Sequence, residues 1–393
     1  MAERPVLVVN CGSSSVRYQL RAGDAVRCGG TIDGIGAGAL RWQGADGGEI
    51  PVPAAVGDHR SALEAVFDQL AEREHTPAAI GHRVVHGGAE FATAVRVDAD
   101  VRARIAGLAG LAPSHNPHNL RGIEVAAACY PGVPQVAVFD TAFHQRLPEH
   151  ARRYALPADA LAGLEGAGVP RRYGFHGISH GAALRHTAAW LRRPPEALDL
   201  ITLHLGNGAS AAAIRGGHSI DTSMGFTPLE GLVMGTRCGD LDPALPLLLQ
   251  AGGRTPEQVR DLLETRSGLL ALCGSSDMRA IRARAAAGDS DARLARELFA
   301  YRVKKAIGAY LAVLGRADAL VFTGGIGAHD AELRRQCVAG LEGFGIVLGE
   351  ARPDAETGIT ALHDPRRSPV AVLAMAADEE AEIARQVLVC LAQ

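Results

Sequence analysis

At 393 residues the chain is long enough for two domains, and a composition of 47% hydrophobic but only 4% aromatic residues requires cores built from Ala, Val, Leu and Ile. A formal net charge of −3 without a basic stripe excludes a nucleic-acid surface, and no apolar run approaches the length of a bilayer span. The seven cysteines, Cys11, Cys28, Cys129, Cys238, Cys273, Cys337 and Cys390, lack the paired spacings of zinc or redox sites and read as free thiols of a cytoplasmic protein. Only two lysines are present, Lys304 and Lys305, which argues against lysine nucleophiles.

In chain order, Val6–Val9 is an apolar strand, Asn10–Ser15 a small-residue turn and Val16–Leu20 a second strand. The first strand is cut off by Asn10 and Gly12 and so does not read as a secretory leader. Gly34–Gly48 reads as a surface loop, and Asp58–Glu74, with Leu63, Val66, Phe67 and Leu70 at helical spacing, as an amphipathic helix. Ala79–Val85 is a strand running into Gly87-Gly88. Arg83 interrupts it, and a guanidinium there needs an anionic partner, either a structural carboxylate or a ligand. Leu111–Pro117 is a loop, Ile123–Ala128 a short helix, and Gln135–Phe139 a strand ending at Asp140, a position that a turn or cap residue also occupies.

Tyr173–His180 reads as a loop before a helix through Leu184, Ala188 and Leu191 that stops at Arg193-Pro194-Pro195. Leu200–Leu203 is a strand, Gly206-Asn207-Gly208 a tight turn and Ala211–Ile214 a returning strand. That turn is read equally well as a hairpin or as a concavity of backbone N–H groups for phosphate oxygens. Leu245, Leu248 and Leu249 mark a packing helix, and Leu294–Leu314 a long helix with Leu298, Ile307 and Leu311 inward. Ala319–Phe322 is a third strand, ending in Thr323–Gly327 before a helical segment Ala331–Leu341, and Asp378–Leu391 is the final helix.

Three strands ending in small-residue turns, divided between two halves, suggest a duplicated α/β fold closing on a nucleotide, although the Walker A sequence is absent. The stretches VLVVNCGSSSVRYQL, GHRVVHGG, LAPSHNPHN, AVFDTAFH, YGFHGISH, HLGNGAS, DTSMGFTPLEGLVMGTRCGDLDP, SSDMR and VFTGGIG follow one another over nearly the whole chain. In this set the chain resembles the acetokinase family, the acyl-kinase branch of the actin, heat-shock chaperone and sugar-kinase superfamily.

The resemblance implies two ribonuclease H-like (actin-like ATPase) domains with a nucleotide cleft between them: residues 1–148 with 376–393, and residues 149–375, the latter also forming a homodimer. It implies Mg2+-dependent (or Mn2+-dependent) transfer of the γ-phosphoryl group of ATP to acetate or another short carboxylate, in the cytoplasm. Arg83, Arg237 and His176 would clamp the phosphoryl group, Asp140 would orient the substrate or arginine side chains, and Arg83, Val85, Ser114, Phe175 and Pro228 would hold the acid. Ser13, Ser15, Arg17, His204, Leu205, Gly206, Asn207 and Gly208 would line the phosphates. Asp277, Met278, Arg279, Gly325, Ile326, Gly327, Ala328 and His329 would hold the nucleoside, and Asn10 and Glu379 the metal. Taken by themselves, His176 is a hydrogen-bonded loop histidine and Glu379 an exposed helix-start charge.

Three departures from the family pattern bear on specificity. Arg17 replaces a lysine; Ala328-His329 replaces the Glu-Asn of GIGEN; Ser114 stands for a leucine that helps enclose the substrate methyl. Ala377-Asp378-Glu379-Glu380 keeps half of the family's TNEE metal motif. A nucleotide-driven chaperone or filament protein of the same superfamily is the alternative of another class. It would carry an added binding domain and would have no need of Arg83.

Overall fold

In the computed structural model, which describes residues 4–36, 40–53, 56–163 and 170–393, the apolar runs at Val6 and Leu200 each open a mixed sheet. The first sheet contains β1 (Val6–Cys11), β2 (Ser15–Ala22), β3 (Ala25–Asp33), β4 (Arg41–Gly44), β5 (Glu49–Ile50), β6 (Ala79–Val84), β7 (Val95–Arg96) and β8 (Gln135–Phe139), in the order β5-β4-β3-β2-β1-β6-β8-β7. The second contains β9 (Asp199–Leu205), β10 (Ala209–Arg215), β11 (His218–Thr222), β12 (Ala319–Thr323), β13 (Leu348–Pro353), β14 (Thr360–His363) and β15 (Ala371–Ala374), in the order β11-β10-β9-β12-β15-β14-β13.

Each sheet belongs to its own compact unit. One comprises Met1–Gln145, Leu156–Pro170 and Asp378–Gln393, the other Arg146–Ala155 and Arg171–Ala377. The same five-strand core recurs in both: β3-β2-β1-β6-β8 in the first and β11-β10-β9-β12-β15 in the second, an antiparallel meander followed by two parallel strands. This is the duplicated ribonuclease H-like, actin-like α/β fold expected from the sequence. The central strands are apolar runs because helices cover both of their faces. Ligand-facing chemistry then falls at their carboxyl ends, where Asn10, Arg83 and Asp140 lie in the first sheet and Leu205 and Thr323 in the second.

In the first unit the helix His59–Glu72 is capped by Asp58 and buries Leu63, Val66, Phe67 and Leu70, the face its periodicity predicts. The final helix, Glu379–Leu391, packs on β6 at Gly81, where a methyl group would lie 2.6 Å from Val387 Cγ2 and 3.0 Å from Ile383 Cγ2. Glycine there lets the helix approach closely enough to bring its first residue, Glu379, near Arg83. In the second unit the helix Ser290–Leu314 buries Phe299, Val303, Ile307, Tyr310 and Leu311, with Leu298 half-buried.

Four local expectations are corrected. The stretch Gly34–Gly48 is not all loop: Arg41–Gly44 is β4, held by Trp42, which pairs with Ile32 and meets the edge of Tyr18, while residues 37–39 lie outside those described. The helix expected at Ile123–Ala128 begins at Asn116, since Pro117 has its φ preset for a first helical turn, and it runs to Cys129. The turn Thr323–Gly327 gives way to a short helix, Gly324–His329, and the helix after it spans Ala331–Val338. The helix Ala244–Ala251 buries none of its residues, with Leu245 48% and Leu248 65% exposed, so an apolar pattern that read as packing has no cover within the described chain.

His82 in β6 is 1% exposed, with Nε2 2.6 Å from the Gln135 carboxamide. Burial disfavours its imidazolium and lowers its pKa from 6.5 to about 4. Between those values the unfolded chain holds a proton that the folded chain does not. The neutral ring's contribution is therefore intact above pH 6.5 and is lost as the pH falls, by about 2 kcal/mol at pH 5. Urea unfolding at pH 7 and pH 5 is expected to give a pH-dependent loss smaller by about that amount in His82→Gln than in the parent.

Candidate active site

Arg83 leaves the apolar strand β6 with a carboxylate on either hand. Its Nη2 donates to Asp140 Oδ2 at 2.9 Å, and its Nε lies 3.9 Å from Glu379 Oε2. Burial opposes the guanidinium charge, but Asp140 and Glu379 outweigh it and raise the pKa. Asp140 is 1% exposed and is positioned by its own N–H, which donates to Val84 O at 3.0 Å. The loop after β6 is clamped by two amides of the helix Asn116–Cys129. Val85 N–H donates to Asn119 Oδ1 at 3.0 Å, His86 N–H donates to Asn116 Oδ1 at 3.0 Å, and Asn116 Nδ2 returns a bond to His86 O at 2.9 Å. Asn119 Nδ2 also donates to Cys11 O at 2.7 Å, tying β1 to the same loop. These two asparagines were not singled out in the sequence, though both sit in LAPSHNPHN at i, i+3 spacing.

On the neighbouring strand pair Asn10 stands opposite Arg17, whose Nη1 reaches Glu380 Oε1 at 3.4 Å. Glu379 has its pKa raised to about 7, first by burial and then by Asp140 and Glu380, against the opposing pull of Arg83 and Arg17. The carboxylates of Asp140, Glu379 and Glu380 are thus set against Arg83 and Arg17, and Glu379 offers oxygen of the kind a divalent cation takes. Ser13 and Ser114 are exposed, Ser15 is half-buried, and Val85 is 5% exposed.

In the second unit the Gly206–Gly208 turn is closed by Gly206 N–H donating to Gly208 O at 2.9 Å. A methyl group built on Gly208 would lie 3.2 Å from both Cε1 and Nε2 of His176 and 3.7 Å from Nη1 of Arg237, so two of the expected clamp residues face one point above the turn. His176 holds φ 55°, ψ 26°, a left-handed conformation in which it precedes the helix Gly177–Leu191. Its ring stacks on His204 with centroids 4.3 Å apart. The stretch after His176 was read as loop through His180, but the helix starts at once, at Gly177, and His180 within it is fully buried.

Arg237 belongs to a loop held on its far side by Cys238 N–H, which donates to Leu263 O at 3.0 Å, and on its near side at Met234 and Gly235. Gly235 N–H donates to Asn207 O at 2.9 Å, and Leu269 and Leu270 N–H donate to Met234 O and Gly235 O, each at 2.9 Å. Its Nη1 donates to Pro228 O at 3.1 Å. The Pro228 loop is in turn anchored by Glu230, which accepts from Tyr154 Oη and pairs with Arg172, while Arg172 Nη1 also donates to Ser223 O and Met224 O at 3.1 and 3.0 Å. Sequence reading did not assign these anchors; the signal was a second arginine before Tyr173, too near the chemistry to be surface charge. Phe175 is 1% exposed.

Gly206, Asn207, Asp277, Met278, Arg279, Gly325, Ile326 and His329, all expected around the nucleotide, line one cavity of about 630 Å³, joined there by Ser276, Arg282 and Asp330. Asp277 caps the helix Met278–Ala286 through Arg279 N–H at 2.9 Å and pairs with the Arg279 guanidinium at 3.0 Å. Arg282, one turn beyond Arg279, was missed although the i, i+3 spacing was legible. Leu205, Gly327 and Ala328 are not in the lining. Leu205 is fully buried, and the carbonyls of Gly327 and Ala328 accept from Arg334 Nη1 at 2.8 and 2.7 Å.

Comparison with known proteins agrees over almost the full length. Residues 5–385 match the model of the Acetokinase family. An acetate kinase of Streptomyces avermitilis is 48% identical, covering 98% of this chain and 97% of its own. Among solved structures, the acetate kinase of Porphyromonas gingivalis superimposes with a TM-score of 0.89 at 37% identity, covering 98% of this chain and 99% of that one. A propionate kinase from Francisella tularensis gives 0.89 at 36% identity over the same shares. By family model, sequence and fold alike, this chain belongs to the acetokinase family.

Proposed function

We propose that the chain transfers the γ-phosphoryl group of ATP reversibly to acetate, giving acetyl phosphate and ADP by direct in-line displacement. Family membership makes it a phosphotransferase with a carboxyl acceptor. The observation that carries the finer reading is that His176 and Arg237 face one point over Gly208, beside a cavity large enough for a nucleoside.

In this reading a carboxylate oxygen of acetate bonds to the γ-phosphorus as the bond to the β,γ-bridging oxygen breaks, and ADP leaves. The acceptor has no proton to remove, so a general base has no task in this direction. Charge on the equatorial oxygens is the main barrier, and Arg83, Arg237 and His176 supply fixed donors to it. Asp140 keeps the Arg83 fork oriented. Ser13, Ser15, Arg17, His204 and the turn N–H groups follow the phosphates, and the residues around the cavity hold the nucleoside. Magnesium, or manganese in its place, bound through Asn10 and Glu379 would neutralise phosphate charge. Among the described residues no three His, Cys, Asp or Glu side chains gather as a metal site, consistent with a cation held largely by phosphate and water oxygens.

A homodimer through the second unit is supported by the uncovered leucines of Ala244–Ala251. No helix among the described residues is long and apolar enough to cross a membrane. A cytoplasmic setting suits the seven free cysteines.

The polar, exposed Ser114 favours a second reading, preference for a longer or substituted acid, and the likeness to a propionate kinase supports it. One lost apolar contact shifts preference by about 1–3 kcal/mol without changing the reaction. Hydroxamate trapping with acetate, propionate, butyrate and hydroxylated acids is expected to rank acetate first and propionate second by kcat/KM. Acetate ranking tenfold or more below another acid, on the order of 1.4 kcal/mol, would transfer the assignment to that substrate. A chain forming no acyl phosphate from any of them would refute the proposal.

A further inference from the structure

Strand β10 begins Ala209-Ser210-Ala211, all fully buried, and Ser210 is the one hydroxyl among them. Its Oγ is 2.9 Å from Nδ1 of His176 and 2.9 Å from Nε2 of His180. The other ring nitrogen of His180, Nδ1, is 2.7 Å from Thr202 Oγ1 on β9. Thr202, His180 and Ser210 are all 0% exposed, so the row Thr202, His180, Ser210, His176 runs from the core of the sheet to the point above Gly208.

We propose that Ser210 is a positioning residue that sets the tautomer of His176, through a polarised chain anchored at Thr202. The inference rests on the function proposed above, in which Nε2 of His176 meets the phosphoryl group. A serine hydroxyl has one hydrogen and so donates to only one of the two imidazoles it touches. When it donates to His176 Nδ1, Nε2–H of His180 donates to Ser210 Oγ and Thr202 Oγ1–H donates to His180 Nδ1. The chain then ends with His176 Nε2–H directed at the phosphoryl site. The opposite polarity would present a lone pair to anionic oxygens, converting attraction into repulsion. Burial makes the choice consequential, since water is not there to replace a mismatched partner.

The polarity matters only while His176 is neutral. As imidazolium it donates from both nitrogens, and Ser210 then accepts from Nδ1. Groups around His176 whose charge enters include His180 on its own helix, the stacked His204 of β9, and Arg237 across Gly208. All are common to parent and variant, so the ratio of their rates at each pH isolates the role of the hydroxyl.

Acyl phosphate formation is to be measured for the parent, Ser210→Ala and Ser210→Thr from about pH 5.5 to pH 8.5. Outer partners that orient metal-ligating histidines are worth about 10–100-fold, and on the same scale of orientation kcat of Ser210→Ala is expected to fall about tenfold or more at the alkaline end. That deficit should shrink steadily toward the acid end, while KM for acid and nucleotide moves less than about twofold. Ser210→Thr, which keeps the hydroxyl, is expected to recover most of the rate. A deficit equal at every pH, or no deficit, would overturn the tautomer role. If Ser210→Ala does not fold, 15N spectra of the histidines in the parent decide the matter: neutral His176 protonated at Nε2 is expected, and protonation at Nδ1 overturns the inference. A parent chain inactive toward every carboxylate would defeat the functional reading instead, and the 15N measurement would still judge the chain of hydrogen bonds by itself.

Discussion

Arg83→Ala is expected to lower kcat for acyl phosphate formation by at least about a hundredfold, the scale on which a single preorganised donor to transition-state charge acts. The argument begins from cost. A guanidinium only 17% exposed at the end of an apolar strand is expensive to hold, and the chain provides Asp140 and Glu379 to hold it. The same contacts that keep the fork charged and oriented leave it suited to bidentate work on an anionic group. Removing it also takes from Asp140, 1% exposed, the cation 2.9 Å away, and a broken buried pair costs about 3–5 kcal/mol. Stability and catalysis must therefore be read apart. Arg83→Ala with Asp140→Ala is expected to regain much of the urea resistance lost in Arg83→Ala while remaining as inactive. Full activity in the single variant would remove Arg83 from the reaction.

Gly208→Ala is expected to cut kcat by about 10–100-fold while leaving the thermal midpoint nearly unchanged. Gly208 has no positive φ, so alanine meets no backbone strain, and the effect falls on the space above it. The new methyl would lie 3.2 Å from His176 Nε2 and 3.7 Å from Arg237 Nη1, requiring the imidazole to give way by a few tenths of an ångström and filling the point that both groups face. Displacements of that order are costly where reacting atoms must be held in line. Measuring kcat, KM and the melting curve together separates this from general damage. A large fall in melting temperature with kcat per folded molecule retained would show that Gly208 serves the fold, not the transfer.

The strands and turns that open both sheets were legible because a strand covered on two faces has to be an apolar run, and a turn that brings backbone close to a ligand has to be small. Arg83 was legible for the complementary reason, a charge where the pattern demanded none. The leucines of Ala244–Ala251 were misread since periodicity reveals that a face is apolar without revealing what covers it. Asn116 and Asn119 escaped notice because the helix was expected only from Ile123, and amides in a stretch read as loop have no visible partner until the strand-end loop is placed against them. Ser210 closes the HLGNGAS stretch, yet between alanines in a buried strand it reads as a small residue chosen for packing.

From its residues alone, then, this chain determined a doubled α/β pattern, because apolar period and glycine are written locally, while its family was legible in the order of its motifs, and the residues proposed for the phosphoryl clamp came from that resemblance. Only the tertiary structure decided which carboxylates hold Arg83, that His176 and Arg237 face the same point over Gly208, and how a serine joins two histidines. Those are matters of a few ångströms between residues far apart in the chain, fixed by strand register and helix approach, and no local pattern encodes them.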